Sequence, residues 1–253
     1  MKSGKSYIGT SGWKYRHWEG TFYPDNIKKK DQFKYFSEHF DTVELNNSFY
    51  RQPSPDNFKQ WKSQSPKKFT YAVKANRYFT HLKKLNVEKT EILDFLNACE
   101  KLDNKLGPIL FQLPPKWKLN TERLKRFLKM LPKAHRYTFE FRNHSWYHDD
   151  VFALLKKYNC AFCIYELEGH QSPVLSTADF VYIRLHGPNG KYQGSYSKKA
   201  LTKWSKAIKA WNKEKKDVYL YFDNDQAAYA AFNAMEIKKI NPKMNDFIKI
   251  ESV

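Results

Sequence analysis

Short stretches of this chain alternate strictly between polar and apolar residues, and between them the apolar residues fall at helical spacing. Thr138-Phe139-Glu140-Phe141-Arg142 is polar at even positions and aromatic at odd ones. Tyr182-Ile183-Arg184-Leu185-His186 repeats the pattern, as do Ala72-Val73-Lys74-Ala75-Asn76, Thr42-Val43-Glu44-Leu45-Asn46 and Tyr221-Phe222-Asp223. Side chains on a strand alternate faces, so each stretch presents one apolar and one polar face. The spacing predicts eight strands, at 7–13, 42–49, 69–76, 108–113, 136–142, 161–167, 180–186 and 218–223. It predicts helices at 32–40, 90–102, 122–131 and 151–158, one at 197–213 capped by Ser197, and one at 226–239 capped by Asp225. The segment 172–179 carries the weakest helical pattern, no more than a single turn.

Strands that alternate with helices build a parallel sheet, which can be open or closed. An open sheet with helices on both faces needs apolar residues on both faces of its strands. Here one face is polar, so the pattern favours a closed α/β architecture: a single (β/α)8 TIM-type barrel spanning residues 1–253. Its 253 residues suit that fold, and no linker or low-complexity run divides the chain.

Polar residues at the C-terminal ends of barrel strands read as catalytic or binding groups. The inward set is Glu44 and Asn46, Lys74 and Asn76, Gln112, Glu140 and Arg142, then Tyr182, Arg184 and His186, with Tyr221 and Asp223 on the last strand. Glu140 and His186 are the candidate acid and base, with Glu44 beside them. Lys74 suits a Schiff base or anion binding. Arg142 and Arg184 form a candidate clamp for phosphate or carboxylate, flanked by Asn46, Gln112, Tyr182 and Asp223. The competing reading is a set of ions paired with one another, such as Lys74 with Glu140 or Glu44 with Arg184. A divalent metal is a lesser candidate cofactor, with Glu44, Glu140, His186 and Asp223 as ligands, since one inward histidine makes a thin set. Trp13, Trp146 and Tyr192 lie in the loops after strands 1, 5 and 7, where rings beside basic residues can stack on a ligand or pack the loop down. Gly187–Gly194 is a long, glycine-rich loop suited to a lid or to phosphate.

The net charge is +19, from 45 Lys and Arg against 26 Asp and Glu. It attracts polyanions, so an anionic small molecule or a nucleic acid is the expected partner. Helix-borne lysines that only solvate the surface, in a Lys-, Asn-, Tyr- and Phe-rich composition, account for it equally well. No apolar run is long enough to span a membrane. The stretch after Met1 lacks the pattern of a signal peptide, so a cytoplasmic location is expected. Cys160 and Cys163 form a C-x-x-C on an apolar strand with no further ligands nearby; with Cys99 they read as buried core thiols.

The motifs Ile8-Gly9-Thr10-Ser11-Gly12-Trp13, Phe22-Tyr23-Pro24, Thr42–Asn46 with Phe49-Tyr50-Arg51, Val73-Lys74-Ala75 and Thr80-His81 resemble those of the YecE-like family, domain of unknown function 72. So do Phe111-Gln112-Leu113-Pro114-Pro115, Glu140-Phe141-Arg142 with Ser145-Trp146, Tyr182–Gly187, Tyr221-Phe222-Asp223-Asn224 and Asn233-Ala234. The resemblance runs from about residue 7 to 240 and implies a TIM barrel with no established activity. The family is likened, by fold, to endonuclease-IV-like and xylose-isomerase-like metal barrels. This sequence departs from their multi-histidine pattern. Three functions are consistent with the residues: an enzyme on a phosphate-bearing substrate, including nucleic acid; an isomerase, lyase or hydrolase of sugars or sugar phosphates; and a non-enzymatic ligand-binding barrel.

Overall fold

A computed structural model describes residues 3–240 of the chain. Its barrel strands are β1 (Ser6–Thr10), β2 (Thr42–Leu45), β3 (Thr70–Lys74), β4 (Leu106–Leu113), β5 (Tyr137–Phe141), β6 (Ala161–Leu167), β7 (Phe180–Leu185) and β8 (Asp217–Phe222). All pair in parallel, in the order β1-β8-β7-β6-β5-β4-β3-β2. Between β1 and β2 the barrel is drawn together by a Ser11–Glu44 bridge, with the Gly12 amide donating to the Glu44 carbonyl at 2.9 Å. Gly9 permits this approach: a Cβ there would lie 2.3 Å from the Thr42 carbonyl oxygen. The eight strands thus form the nearly closed α/β barrel expected from their side-chain parity.

Among the described residues, seven helices of eight residues or more cover the outside: α1 (Gln32–His39), α2 (Pro55–Gln64), α3 (Lys89–Cys99), α4 (Thr121–Met130), α5 (Asp149–Lys157), α6 (Lys198–Lys213) and α7 (Tyr229–Ile240). Ser197 caps α6 as expected, accepting from the Ala200 amide at 3.3 Å. α2 was not foreseen. Ser54 and Asn57 close a capping box at its start, with Pro55 in the first turn. Two other expectations fail. Asp225 does not cap the last helix; it accepts from Trp18 Nε1 at 2.6 Å and pairs with His17 at 3.0 Å, and α7 begins at Tyr229. Segment 172–179 forms no helix. Thr177 serves β6 directly, with its hydroxyl oxygen accepting from the Phe162 amide and donating to the Cys160 carbonyl, each at 2.7 Å. Ahead of it, His170–Gln171 folds back antiparallel on the end of β6.

The alternation sorts apolar residues into two cores. Val43, Leu45, Val73, Phe111, Phe139, Phe141, Ile183, Leu185 and Phe222 face the helices. Ala72, Leu110, Ala161, Cys163, Phe180, Tyr182, Tyr219 and Tyr221 fill the barrel interior. Small residues on β3 and β6 make room for the tyrosines of β7 and β8. Tyr7 stacks on Tyr219 with centroids 4.6 Å apart, and Tyr221 Oη meets Thr42 Oγ1 at 2.7 Å. This packed interior puts a floor beneath the polar residues at the C-terminal ends. Cys99, Cys160 and Cys163 are free and buried, matching the reading of core thiols. No helix among the described residues is long and apolar enough to cross a membrane.

Candidate active site at the barrel mouth

Glu44, Lys74, Glu140, Arg184 and His186 meet at one end of the barrel, where their strands terminate. Arg184 is the hub and is 1% exposed. Its Nε and Nη2 donate to Glu44 at 3.2 and 2.8 Å, its Nη1 to Glu140 at 2.8 Å, and its Nη2 to Asp223 at 3.1 Å. Glu44 also accepts from Tyr182 Oη at 2.6 Å and from the Ser11 hydroxyl. Arg142 Nε donates to the other Glu140 oxygen. Burial alone would push the Glu140 carboxyl up, but Arg142 and Arg184 override it and hold the group well below the usual carboxylate range. Asp223 is lowered too, since its bonds to His186 and Arg184 outweigh burial.

The partners of His186 fix its tautomer. Nε2 lies 2.9 Å from Arg142 Nη2 and 3.3 Å from Arg184 Nη1. A guanidinium can only donate, so Nε2 accepts. Nδ1 then carries the proton and donates to Asp223 Oδ2 at 2.9 Å. In this arrangement the ring bridges the two arginines and Asp223.

This network closes on itself, and the groups around it do not. Lys74 ends β3 with 9% of its surface exposed. Its Nζ sits 4.4 Å over the Phe49 ring and has no hydrogen-bond or ion-pair partner among the described residues. Burial, then Arg184, push its pKa down to about 8 against the opposing pull of Glu140, Glu44 and Asp223. Gln112, on the neighbouring strand and in register with Glu140, is partly exposed and likewise unpartnered. Arg142 offers its Nη1 edge, with the guanidinium 4.8 Å over the Tyr165 ring. Asn46 donates to Ser11 and leaves its buried Oδ1 without a partner.

The aromatic rim is mostly structural. Trp146 is fully buried, stacked on Phe141 at 5.0 Å, with Nε1 donating to the Trp117 carbonyl at 2.7 Å. Trp13 packs edge-on against Phe33 and Trp61. Tyr192 does reach the mouth: it is 40% exposed and edge-on to His186 at 5.6 Å. Its loop is anchored, because a Cβ at Gly187 would lie 2.2 Å from the Gln193 carbonyl oxygen, and Asn224 Nδ2 donates to the Gly194 carbonyl at 2.8 Å. Asn224 in turn bonds Asn233, so those two motif residues secure the loop. Asn76 is also structural: it donates to the Ser48 carbonyl and accepts from the Tyr78 amide.

Sequence reading missed Phe49, Ser11 and His81. His81 lies in the turn Tyr78–Leu82 after β3, edge-on to Phe49 at 5.0 Å. Burial and the cations Lys74, Arg77 and Arg142 hold it down at about 4, so its ring is neutral. The signal was its place in a Thr80-His81 motif just beyond a strand end. As for a metal, among the described residues no group of three or more His, Cys, Asp or Glu is arranged to hold one. The oxygens of Glu44, Glu140 and Asp223 are turned to guanidinium, hydroxyl and imidazole donors, which does not fit the metal centres of the barrels named above.

Comparison with known proteins identifies the setting of this site. The family described as "Protein of unknown function DUF72" matches residues 7–247. UPF0759 protein YunF of Bacillus subtilis (strain 168) is 26% identical, the match covering 92% of this chain and 94% of that protein. A DUF72 family protein of Thermotoga maritima superposes with a TM-score of 0.85 at 28% identity, covering 93% of this chain and 98% of that one. One from Enterococcus faecalis does so at 0.80 and 19% identity, covering 96% and 97%, a likeness of fold.

Proposed function

The chain belongs to the DUF72 family, which carries no assigned function, and from the chemistry of its mouth we propose that it is an enzyme acting on a small phosphate-bearing substrate. The observation that carries this reading is the set of donors left open above a closed ionic network: Arg142 Nη1, the Gln112 amide and Lys74 Nζ. Donors that meet no anion within the protein suit an anion from outside. Arg184 does not join them, because all three of its nitrogens are engaged within the protein; it positions Glu44, Glu140 and Asp223. Asp223, with 14% of its side chain exposed, is the least buried carboxylate of the network and so the group best placed to move a substrate proton. Asn46 Oδ1 would accept from a substrate hydroxyl, which suits a sugar phosphate. Nucleic acid is supported by the +19 charge alone, since the tryptophans expected to stack on bases are packed into the protein.

Inorganic phosphate titrated against wild type, Gln112→Leu and Arg142→Lys tests the reading by thermal shift. Gln112→Leu breaks no bond in the free protein, and Arg142→Lys keeps a cation beside Glu140 while removing the second donor edge. Phosphate should stabilise wild type and bind about 3–10-fold more weakly to Gln112→Leu, and about tenfold or more weakly to Arg142→Lys. Equal stabilisation of all three proteins would place the anion elsewhere and overturn the reading.

A further inference from the structure

We propose that Lys74 is a Schiff-base nucleophile, so that the substrate class is an aldehyde or ketone carrying a phosphate group. This deepens the phosphate reading and rests on it for the anionic half of the substrate. Three features set Lys74 apart from the lysines of the helical surface. It is nine-tenths buried at the end of a barrel strand, against the face of Phe49. Its Nζ is not paired with a carboxylate, because Arg184 and Arg142 have taken Glu44, Glu140 and Asp223. Gln112 near the end of β4 and Arg142 just past the end of β5 hold open donors where a phosphate a few bonds from a carbonyl would sit.

An amine attacks only through its neutral form, and the groups facing Lys74 bear on that. Burial and Arg184 favour the neutral form, while Glu140, Glu44 and Asp223 oppose it and lose, leaving the pKa at about 8. Near pH 7 roughly a tenth of the molecules then carry a free amine, some hundreds of times the fraction for an ordinary lysine. The cations Lys74, Arg77 and Arg142 all depress neighbouring His81. The Nζ lone pair adds to the carbonyl carbon, forming the C–N bond while the carbonyl π pair moves to oxygen and takes a proton. The carbinolamine loses a proton from nitrogen, its hydroxyl is protonated and leaves as water, and a protonated imine remains. One water is released; the proton that the resting ammonium gives up to become the free amine is taken back in the condensation, so the charge at this nitrogen is the same in the protonated lysine and the protonated imine. His81 shares the Phe49 ring with Lys74 but is held neutral, so it has no proton to give the departing hydroxyl, and that proton comes from solvent.

Reductive trapping tests this. The full chain is incubated near pH 7 with glycolaldehyde phosphate or with unphosphorylated glycolaldehyde, reduced with cyanoborohydride, digested, and mapped by mass spectrometry. With the phosphorylated aldehyde, Lys74 should be modified at least tenfold ahead of any surface lysine, and added inorganic phosphate should suppress that preference. Modification of Lys74 should rise with pH around 8, where surface lysines are still almost fully protonated. Lys74→Arg and Lys74→Met should show no enriched site, and their melting curves establish that each is folded. Lys74 favoured equally by both aldehydes would support the nucleophile and overturn the phosphate reading. Modification scattered over surface lysines, with Lys74 no more reactive than they are, would overturn the proposal even if phosphate still binds.

Discussion

Replacing Arg184 with methionine probes how the mouth is held together. The guanidinium is 1% exposed and its three nitrogens serve three carboxylates. Methionine fills much of the volume and supplies no donor. Each carboxylate keeps a lesser partner: Tyr182 and Ser11 for Glu44, Arg142 for Glu140, and His186 for Asp223. Removing one side of a buried ion pair costs about 3–5 kcal/mol, and those residual partners argue for the lower half of that range. In a chain of this size, about 3 kcal/mol lowers Tm by roughly 10 °C. The pH dependence is the sharper test. Glu140 is held below its ordinary value in the folded protein, so its contribution is full above the unfolded value and is lost as pH falls through the folded one. Without Arg184 the burial of Glu140 is opposed by one guanidinium fewer, and its folded pKa rises. The deficit against wild type shrinks wherever the variant's folded state takes up a proton at Glu140 that wild type's does not, so it should be smaller at about pH 5 than at about pH 7. Urea and thermal unfolding of both proteins at the two pH values measure this, with Lys59→Ala, which removes an exposed pair with Asp56, as the control. A deficit of the same size at both pH values, or none at pH 7, would show that Glu140 is not held ionised by Arg184.

Trp146→Phe should lower stability by about 1–3 kcal/mol through the lost bond to the Trp117 carbonyl and the lost ring volume, yet leave phosphate affinity unchanged. A fall in affinity larger than that of Gln112→Leu would return Trp146 to the ligand site. Binding to single-stranded or abasic duplex oligonucleotides should fall steeply with salt, and near physiological salt Arg142→Ala and the surface change Lys209→Ala should weaken it by equal small steps. A loss confined to Arg142→Ala, accompanied by cleavage, would favour a nucleic-acid enzyme over a small-molecule one.

The barrel and the inward set were legible because strand parity is local: alternation within five residues decides which side chains share a face. Helix α2 was harder, because Phe58 and Trp61 are its main apolar anchors among polar residues; its stronger marker is the Ser54-Pro55 start. Which charges pair could not be read. Glu44 and Arg184 are 140 positions apart, and barrel closure brings them together. The sequence weighed Glu44 with Arg184 and Lys74 with Glu140 alike, and only the first pair forms. Trp146 illustrates a different limit: a tryptophan beside basic residues looks the same whether it stacks on a ligand or on Phe141.

The charge count at the mouth explains why the network and Lys74 belong together. Glu44, Glu140 and Asp223 contribute three negative charges, Arg142 and Arg184 two positive ones, and His186 none in the tautomer its partners impose. The closed network therefore carries one uncompensated negative charge, buried and drawn to any cation at the mouth. Protonated Lys74 balances it from above without forming a direct pair. A protonated imine at the same nitrogen balances it equally well, so the floor holds the positive charge before and after condensation. Buried ion networks contribute little net stability compared with apolar packing. Here the network's value lies in fixing four strand ends around one amine, whose carboxylate neighbours are close enough to stabilise its cation and too committed to Arg184 and Arg142 to bond it.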